Sequence, residues 1–145
     1  MKSKASTTLV PVAVALLWLT ACATTTNVVK AKDDGTAKTY RVGRAQAWEI
    51  TKTVFRWQES DYVEEHQSER YILAHDGKDW MPWGTLMVAW VDPVDKKRTK
   101  VTVVTKRRAG KEVATSSSEN TFHEYFARAV EMVKAGKTLP AEAPK

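Results

Sequence analysis

A single cysteine, Cys22, in 145 residues means that no disulfide can close within this chain. Only three histidines are present, and no two of His66, His75 and His123 fall three or four residues apart on one helix, so metal-ligand spacing is missing. The serine run Ser116-Ser117-Ser118 has no Gly-x-Ser-x-Gly elbow and no placed histidine partner, which removes the support for nucleophilic catalysis. The acids Glu64, Glu65, Asp76 and Asp79 show no paired environment that would separate their pKa values, so an acid/base pair has no support either. No internal repeat and no apolar run of the ~20 residues needed to span a bilayer is found. From these absences the expectation is a protein with no catalytic residues, no metal and no cofactor.

What the chain does have is concentrated at its start. Lys2 and Lys4 stand in an acid-free opening segment, and Leu9 to Leu19 (LVPVAVALLWL) is a short apolar run that gives way to the polar stretch Thr24 to Asn27. A positive segment followed by a short apolar one has the form of a secretory signal peptide. The run ends Leu19-Thr20-Ala21-Cys22, an aliphatic residue, two small residues and a cysteine.

That string resembles the lipobox of bacterial lipoproteins. The resemblance implies a diacylglycerol on the Cys22 thiol, cleavage just before Cys22, and usually an acyl chain such as palmitate on the freed amine. The other readings of Cys22 are a buried structural cysteine or an ordinary signal peptide cut at Ala21 or Ala23. Lipidation has the advantage of explaining a lone thiol in an oxidising compartment. Two or more acyl chains, at ~0.8 kcal/mol per buried methylene, give a stable membrane anchor. Ala23 stands where the family's inner-membrane retention signal would place Asp, so the resemblance implies the periplasmic leaflet of the outer membrane.

Cleavage leaves 124 residues, enough for one domain with a modest core. The formal net charge of +6 falls to +4 without Lys2 and Lys4, and bases alternate with acids along most of the chain. Such a balance favours solubility and gives no reason to expect a nucleic-acid partner. The organisation read from the sequence is a signal peptide over 1–21, a lipidated tether over 22–36, a globular domain over 37–136 and a flexible tail over 137–145.

Within the domain the hydrophobic period predicts a strand over Ala37 to Val42, a helix over Arg44 to Gln58 and strands over Tyr62 to His66 and Arg70 to His75. Strands over Thr85 to Val91 and Thr99 to Lys106 follow, then a helix opening on a Thr121/Glu124 capping box and ending at Gly136. This order, β-α-β-β-β-β-α, predicts an α+β domain with an antiparallel sheet of about five strands and two helices packed on one face. With the segment Tyr40 to Ala47 (YRVGRAQA) leading into a Trp-bearing helix, it is similar to the helix-grip domains of the lipoprotein subunit of the outer-membrane β-barrel assembly machinery and of other small envelope lipoproteins.

The most unusual segment is Trp80-Met81-Pro82-Trp83-Gly84, where two tryptophans flank a proline. Trp80 and Trp83 are candidate anchors for a protein partner or a lipid headgroup boundary, against the competing reading that both rings plug an end of the sheet. Trp48, Trp57 and Trp90 read as core, or as the lining of an apolar pocket between helix and sheet. The basic groups Lys96-Lys97-Arg98 and Lys106-Arg107-Arg108 with Lys111 fall at opposite ends of a hairpin. The functional expectation is an envelope lipoprotein with a non-enzymatic interaction domain, its partners the membrane through Cys22 and an unidentified envelope protein. The alternative is a carrier or sensor of a small hydrophobic ligand. Cys22→Ser is expected to block both lipid attachment and cleavage, leaving a larger precursor that incorporates no labelled palmitate. Labelling that survives the substitution rules the anchor out.

Overall fold

The computed structural model describes residues 22–76, 84–107 and 116–145, with the side chains of residues 22–24 and 116 left aside. The leader, Asp79, Trp80, Trp83, Arg108 and Lys111 lie outside the described residues, as does the Cys22 thiol. The elements are α1 (Cys22–Lys30), a 3-10 turn (Lys32–Asp34), β1 (Thr36–Tyr40), α2 (Arg44–Trp57), β2 (Tyr62–His66), β3 (Tyr71–Asp76), β4 (Thr85–Pro93), β5 (Thr99–Arg107) and α3 (Ser116–Lys134).

Strands β2 to β5 follow one another through antiparallel pairings, and β1 closes the far edge by pairing with β5, giving the order β1-β5-β4-β3-β2. The expected α+β architecture is what forms, with α2 and α3 laid across one face. Side chains alternate between faces along each strand. Ile72, Ala74, Ala89, Val91, Val101 and Val103 meet Ala47, Ile50, Val54, Phe55, Phe122 and Phe126 from the helices. Leu73, Leu86, Val88, Trp90 and Val104 point the other way.

That second apolar face explains the first departure from expectation. The tether expected over 22–36 is instead α1 and a 3-10 turn, and Val28 and Ala31, one helical turn apart, are buried against Tyr71, Leu73, Leu86, Val88 and Trp90. Thr24 to Asn27 carry little helix propensity, so the helix owes its existence to covering the sheet. The helices therefore occupy both faces rather than one. Lys32 secures the end of this cover, with Nζ 2.6 Å from Asp92 Oδ2 and 5.7 Å from the centre of the Trp90 ring. Gly35 then lets the chain turn tightly into β1, because a Cβ there would lie 2.5 Å from the Val103 carbonyl oxygen and 2.6 Å from Val104 Cγ2.

Two further expectations are corrected. The last helix starts at Ser116, not at a Thr121 cap, and the Thr121 hydroxyl donates back to the Ser117 carbonyl at 3.0 Å. The tail over 137–145 folds back instead of leaving the body. Leu139 and Ala143 pack on the core, and the Pro140 carbonyl accepts the Trp57 indole N–H at 3.0 Å. A buried indole needs an acceptor, and the proline-rich tail has carbonyls that no helix or strand consumes.

Helices α2 and α3 end in the same motif. After α3 the Gly136 N–H donates to Val133 and Lys137 N–H to Met132, with Gly136 at φ +69°. After α2 the Glu59 N–H donates to Arg56 and the Ser60 N–H to Phe55, with Glu59 at φ +60°. Both are Schellman caps, and the second puts a Cβ in the left-handed region that glycine occupies freely. Glu59→Gly is expected to stabilise the fold by about 1 kcal/mol, read as a higher denaturant midpoint. An unchanged or lower midpoint contradicts that reading of the cap.

Candidate functional site

Helix α3 carries two polar side chains on its inward face, Glu119 and His123, one turn apart and both buried at 6% and 1% exposure. Glu119 has no cation beside it among the described residues. Its carboxylate accepts instead from the Thr36 N–H at 3.2 Å, the Thr36 hydroxyl at 2.6 Å and the Thr105 N–H at 2.9 Å. His123 Nε2 lies 2.9 Å from the Thr36 carbonyl, which can only accept, so Nε2 holds the proton and Nδ1 receives the Tyr40 hydroxyl at 2.8 Å. Burial lowers the His123 pKa and raises that of Tyr40. This hydrogen-bonded network fastens edge strand β1 to α3. Its members answer one another across β1, β5 and α3, and its role is positional.

A cleft of about 200 Å³ opens where the ends of α2 and α3 meet the sheet, lined by Gln58, Ser60, Ala74, Asp76, Thr85, Met87, Arg107 and Ser118. Register explains the grouping. Asp76 is paired with Thr85 and Thr85 with Arg107, so three strands place an acid, a hydroxyl and a base in one row on the helix face. Neither Asp76 nor Arg107 is in an ion pair among the described residues. Gln58 Nε2 donates to the Ser118 carbonyl at 3.2 Å, which fixes the amide orientation, since a flip would oppose two acceptors. Its Oε1 is sealed from solvent and meets no donor. The Thr105 hydroxyl, next along β5 on the same face, is likewise buried without a partner. Glu59, the residue in left-handed conformation, stands between Gln58 and Ser60, which both line the cleft.

At the opposite end of the sheet, the β1–α2 connection and the β4–β5 hairpin tip enclose a wider, open groove of about 920 Å³ lined by Arg41, Val42, Gly43, Gln46, Asp95, Lys96, Lys97 and Arg98. Its single acid, Asp95, is engaged by Arg98 Nε at 2.7 Å and the Lys97 N–H at 2.8 Å, and those bonds hold its pKa below the usual carboxylate range. The first turn of α2 has neither an acid nor a side-chain cap, so the helix dipole adds to the positive potential.

Of the residues singled out from the sequence, Trp48, Trp57 and Trp90 are buried as expected. Trp48 and Trp90 lie on opposite faces of the sheet, however, so they line no common pocket. The space between α2, α3 and the sheet is occupied by Phe55, Phe122 and Phe126. Glu64 lies 3.1 Å from His75 Nε2 and 3.4 Å from His66 Nε2 on the face away from α2 and α3. Trp80 and Trp83 belong to the 77–83 segment joining β3 to β4, outside the described residues. Gln58, Glu119 and the Asp76–Thr85–Arg107 row were not legible as a site. The one available signal was the polar pair Glu119 and His123 on the face of α3 that also carries Phe122 and Phe126.

No protein-family model matches the chain, and no curated protein matches it. Among solved structures it is similar to the Zhui aromatase/cyclase from Streptomyces sp. R1128, at 12% identity and a TM-score of 0.35, over 72% of this chain and 97% of that one. A putative uncharacterized protein from Bacillus thuringiensis is similar at 9% identity and a TM-score of 0.33, over 70% of this chain and 96% of that one.

The buried network has a pH signature. Because the folded His123 pKa lies below its ordinary value of about 6.5, the unfolded chain binds the proton first as pH falls. This contribution to stability is fully present above about pH 6.5 and is lost progressively below it. The urea midpoint is expected to drop between about pH 6.5 and 5, and His123→Gln, which keeps an N–H for Thr36, is expected to flatten that drop. An equally steep drop in His123→Gln shows that another group is responsible.

Proposed function

We propose that this chain is a lipid-anchored envelope protein, held by acyl chains on Cys22 at the periplasmic leaflet of the outer membrane, whose α+β domain is a non-enzymatic interaction module. Support for the anchor comes from the Leu19-Thr20-Ala21-Cys22 string and from α1, which begins at Cys22 and seats on the sheet through Val28. A nine-residue helix rises only ~13 Å, so acylation at Cys22 would hold the domain close to the bilayer. Among the described residues no helix is long and apolar enough to cross a membrane.

The observation that carries the interaction reading is the basic groove. Arg41, Lys96, Lys97 and Arg98 converge on it, while its only acid is engaged internally. A surface of that sign attracts and orients an acidic protein surface through long-range field more than through contact area. Trp80 and Trp83 remain candidate contacts at the other end of β4, a second place for the same partner or for headgroups.

With a photocrosslinking residue at Gln46, irradiation of cells is expected to yield an adduct with an acidic envelope protein. Arg41→Glu combined with Lys96→Glu is expected to cut that adduct by roughly tenfold, with thermal stability unchanged because both side chains are exposed. An adduct indifferent to charge reversal removes the groove from the function.

A further inference from the structure

The basic groove lies at the start of α2, and the end of that helix carries a different surface, independent of the groove and of the anchor. We propose that the seam between the end of α2 and the start of α3 is a docking groove for an extended, proline-rich peptide of a partner protein, a site that the chain's own tail over 137–145 partly occupies.

The tail shows what the seam recognises. Trp57 is buried at 5% exposure, and its indole N–H finds its acceptor in the Pro140 carbonyl at 3.0 Å. The Tyr125 ring meets it edge-on, with centroids 6.0 Å apart and planes at 79°. A further side-chain hydrogen bond to the tail, from Arg128 at 3.3 Å, also ends on a proline carbonyl, that of Pro144. Both contacts read main chain, so neither depends on the tail's own side chains. Prolines suit them, because an extended proline segment has no internal hydrogen bonds, keeps its carbonyls free and loses little entropy on docking. Aromatic-lined grooves are a recurrent means of binding such segments.

The tail is an incomplete occupant. Within it only Leu139, Ala143 and Pro144 are partly buried, and after Pro140 the chain bends at Ala141 and Glu142 on its way to Arg128. Trp57 and Tyr125 also wall an open groove of about 360 Å³, completed by Gln58, Ser117, Ser118 and Thr121 among others, and no tail residue lines it. The aromatic pair is therefore shared between a filled stretch and an unfilled one. A partner segment with prolines on both sides of the Trp57 contact uses both stretches and buries more area than the tail does. Displacing the tail is cheap, because it joins α3 through Gly136 at φ +69° and the exposed Lys137 and Thr138, and few of its side chains leave solvent. In this reading the tail holds the site in its closed form, and a better-fitting proline-rich segment replaces it.

Acetylated octaproline is the probe and an acetylated octapeptide of alternating glycine and serine the control, each titrated into the full chain in detergent while the Trp57 indole N–H resonance is followed. Octaproline is expected to shift it saturably with a dissociation constant of about 1 mM, and the control to bind at least roughly tenfold more weakly. Leu139→Asp, which unseats the tail from the core, is expected to tighten octaproline roughly tenfold because the tail no longer competes. Tyr125→Leu, which removes the ring and keeps an apolar side chain, is expected to weaken it by roughly the same factor. No saturable shift in the parent or in Leu139→Asp up to about 10 mM overturns the proposal, as does equal binding of the control or an affinity left unchanged by either substitution. A Trp57 resonance that moves on dilution without peptide makes a second copy's tail the occupant and also overturns it. If either variant fails to fold, the comparison of octaproline with the control on the parent chain still decides. Loss of the crosslink at the basic groove would leave this result untouched, since the two surfaces are at opposite ends of α2.

Discussion

The constraint on which the rest of the structure depends is that the three central strands are apolar on both faces. Leu73, Leu86, Val88, Trp90 and Val104 cannot be left to water any more than Ile72, Ala89, Val91, Val101 and Val103 can. Two helices cover one side. The other side is covered by α1 and the turn after it, so Cys22 to Ala31 is part of the fold. Under the proposed anchoring, the same nine residues are both the second cover of the sheet and the link to the membrane, so docking of the domain at the bilayer and stability of the sheet are coupled through Val28 and Ala31.

The edge strand β1 is a second dependency. It is short, and apart from Tyr40 its residues have little apolar area to bury, so its pairing with β5 is reinforced from the side by α3. Glu119 and His123 achieve this with hydrogen bonds to Thr36, Tyr40 and Thr105 and without an ion pair, which limits the desolvation cost to groups whose lone pairs and protons are nearly all answered. The early start of α3 is what permits it, because a helix beginning at Thr121 would leave Glu119 outside the helical register that brings it to the strand.

The two candidate sites sit at opposite ends of the same sheet and differ in kind. The groove is wide, open and of one sign, suited to steering a macromolecular surface. The cleft is smaller and its lining is of mixed sign. Between them run β4 and β5, packed on both faces. The cleft borders the junction of α2 and α3 through Gln58 and Ser118, whereas the groove is framed by the opposite end of α2. Helix α2 is thus the one rigid element common to both.

Element type and order were written in the sequence wherever a period persisted. Alternation along Thr99 to Lys106, the helical stripe from Ala47 to Trp57 and the glycine stop at Gly136 each reflect local geometry acting on side chains a few residues apart. The run Thr85 to Val91 (TLMVAWV) is apolar at almost every position, as suits a strand covered on both faces. What the sequence could not name was the cover itself, since Thr24 to Ala31 has no strong helical pattern and folds only against a sheet assembled from residues far along the chain. The tail and the start of α3 were misplaced for the same reason: Trp57 seeks a carbonyl and Glu119 a strand more than 80 residues distant. Both candidate sites belong to this second category. Asp76, Thr85 and Arg107 become neighbours only through strand register, and Gln58 loses its solvent only when α3 closes over the end of α2. Long-range pairing and the burial it imposes, which no local spacing encodes, were decided by the tertiary structure alone.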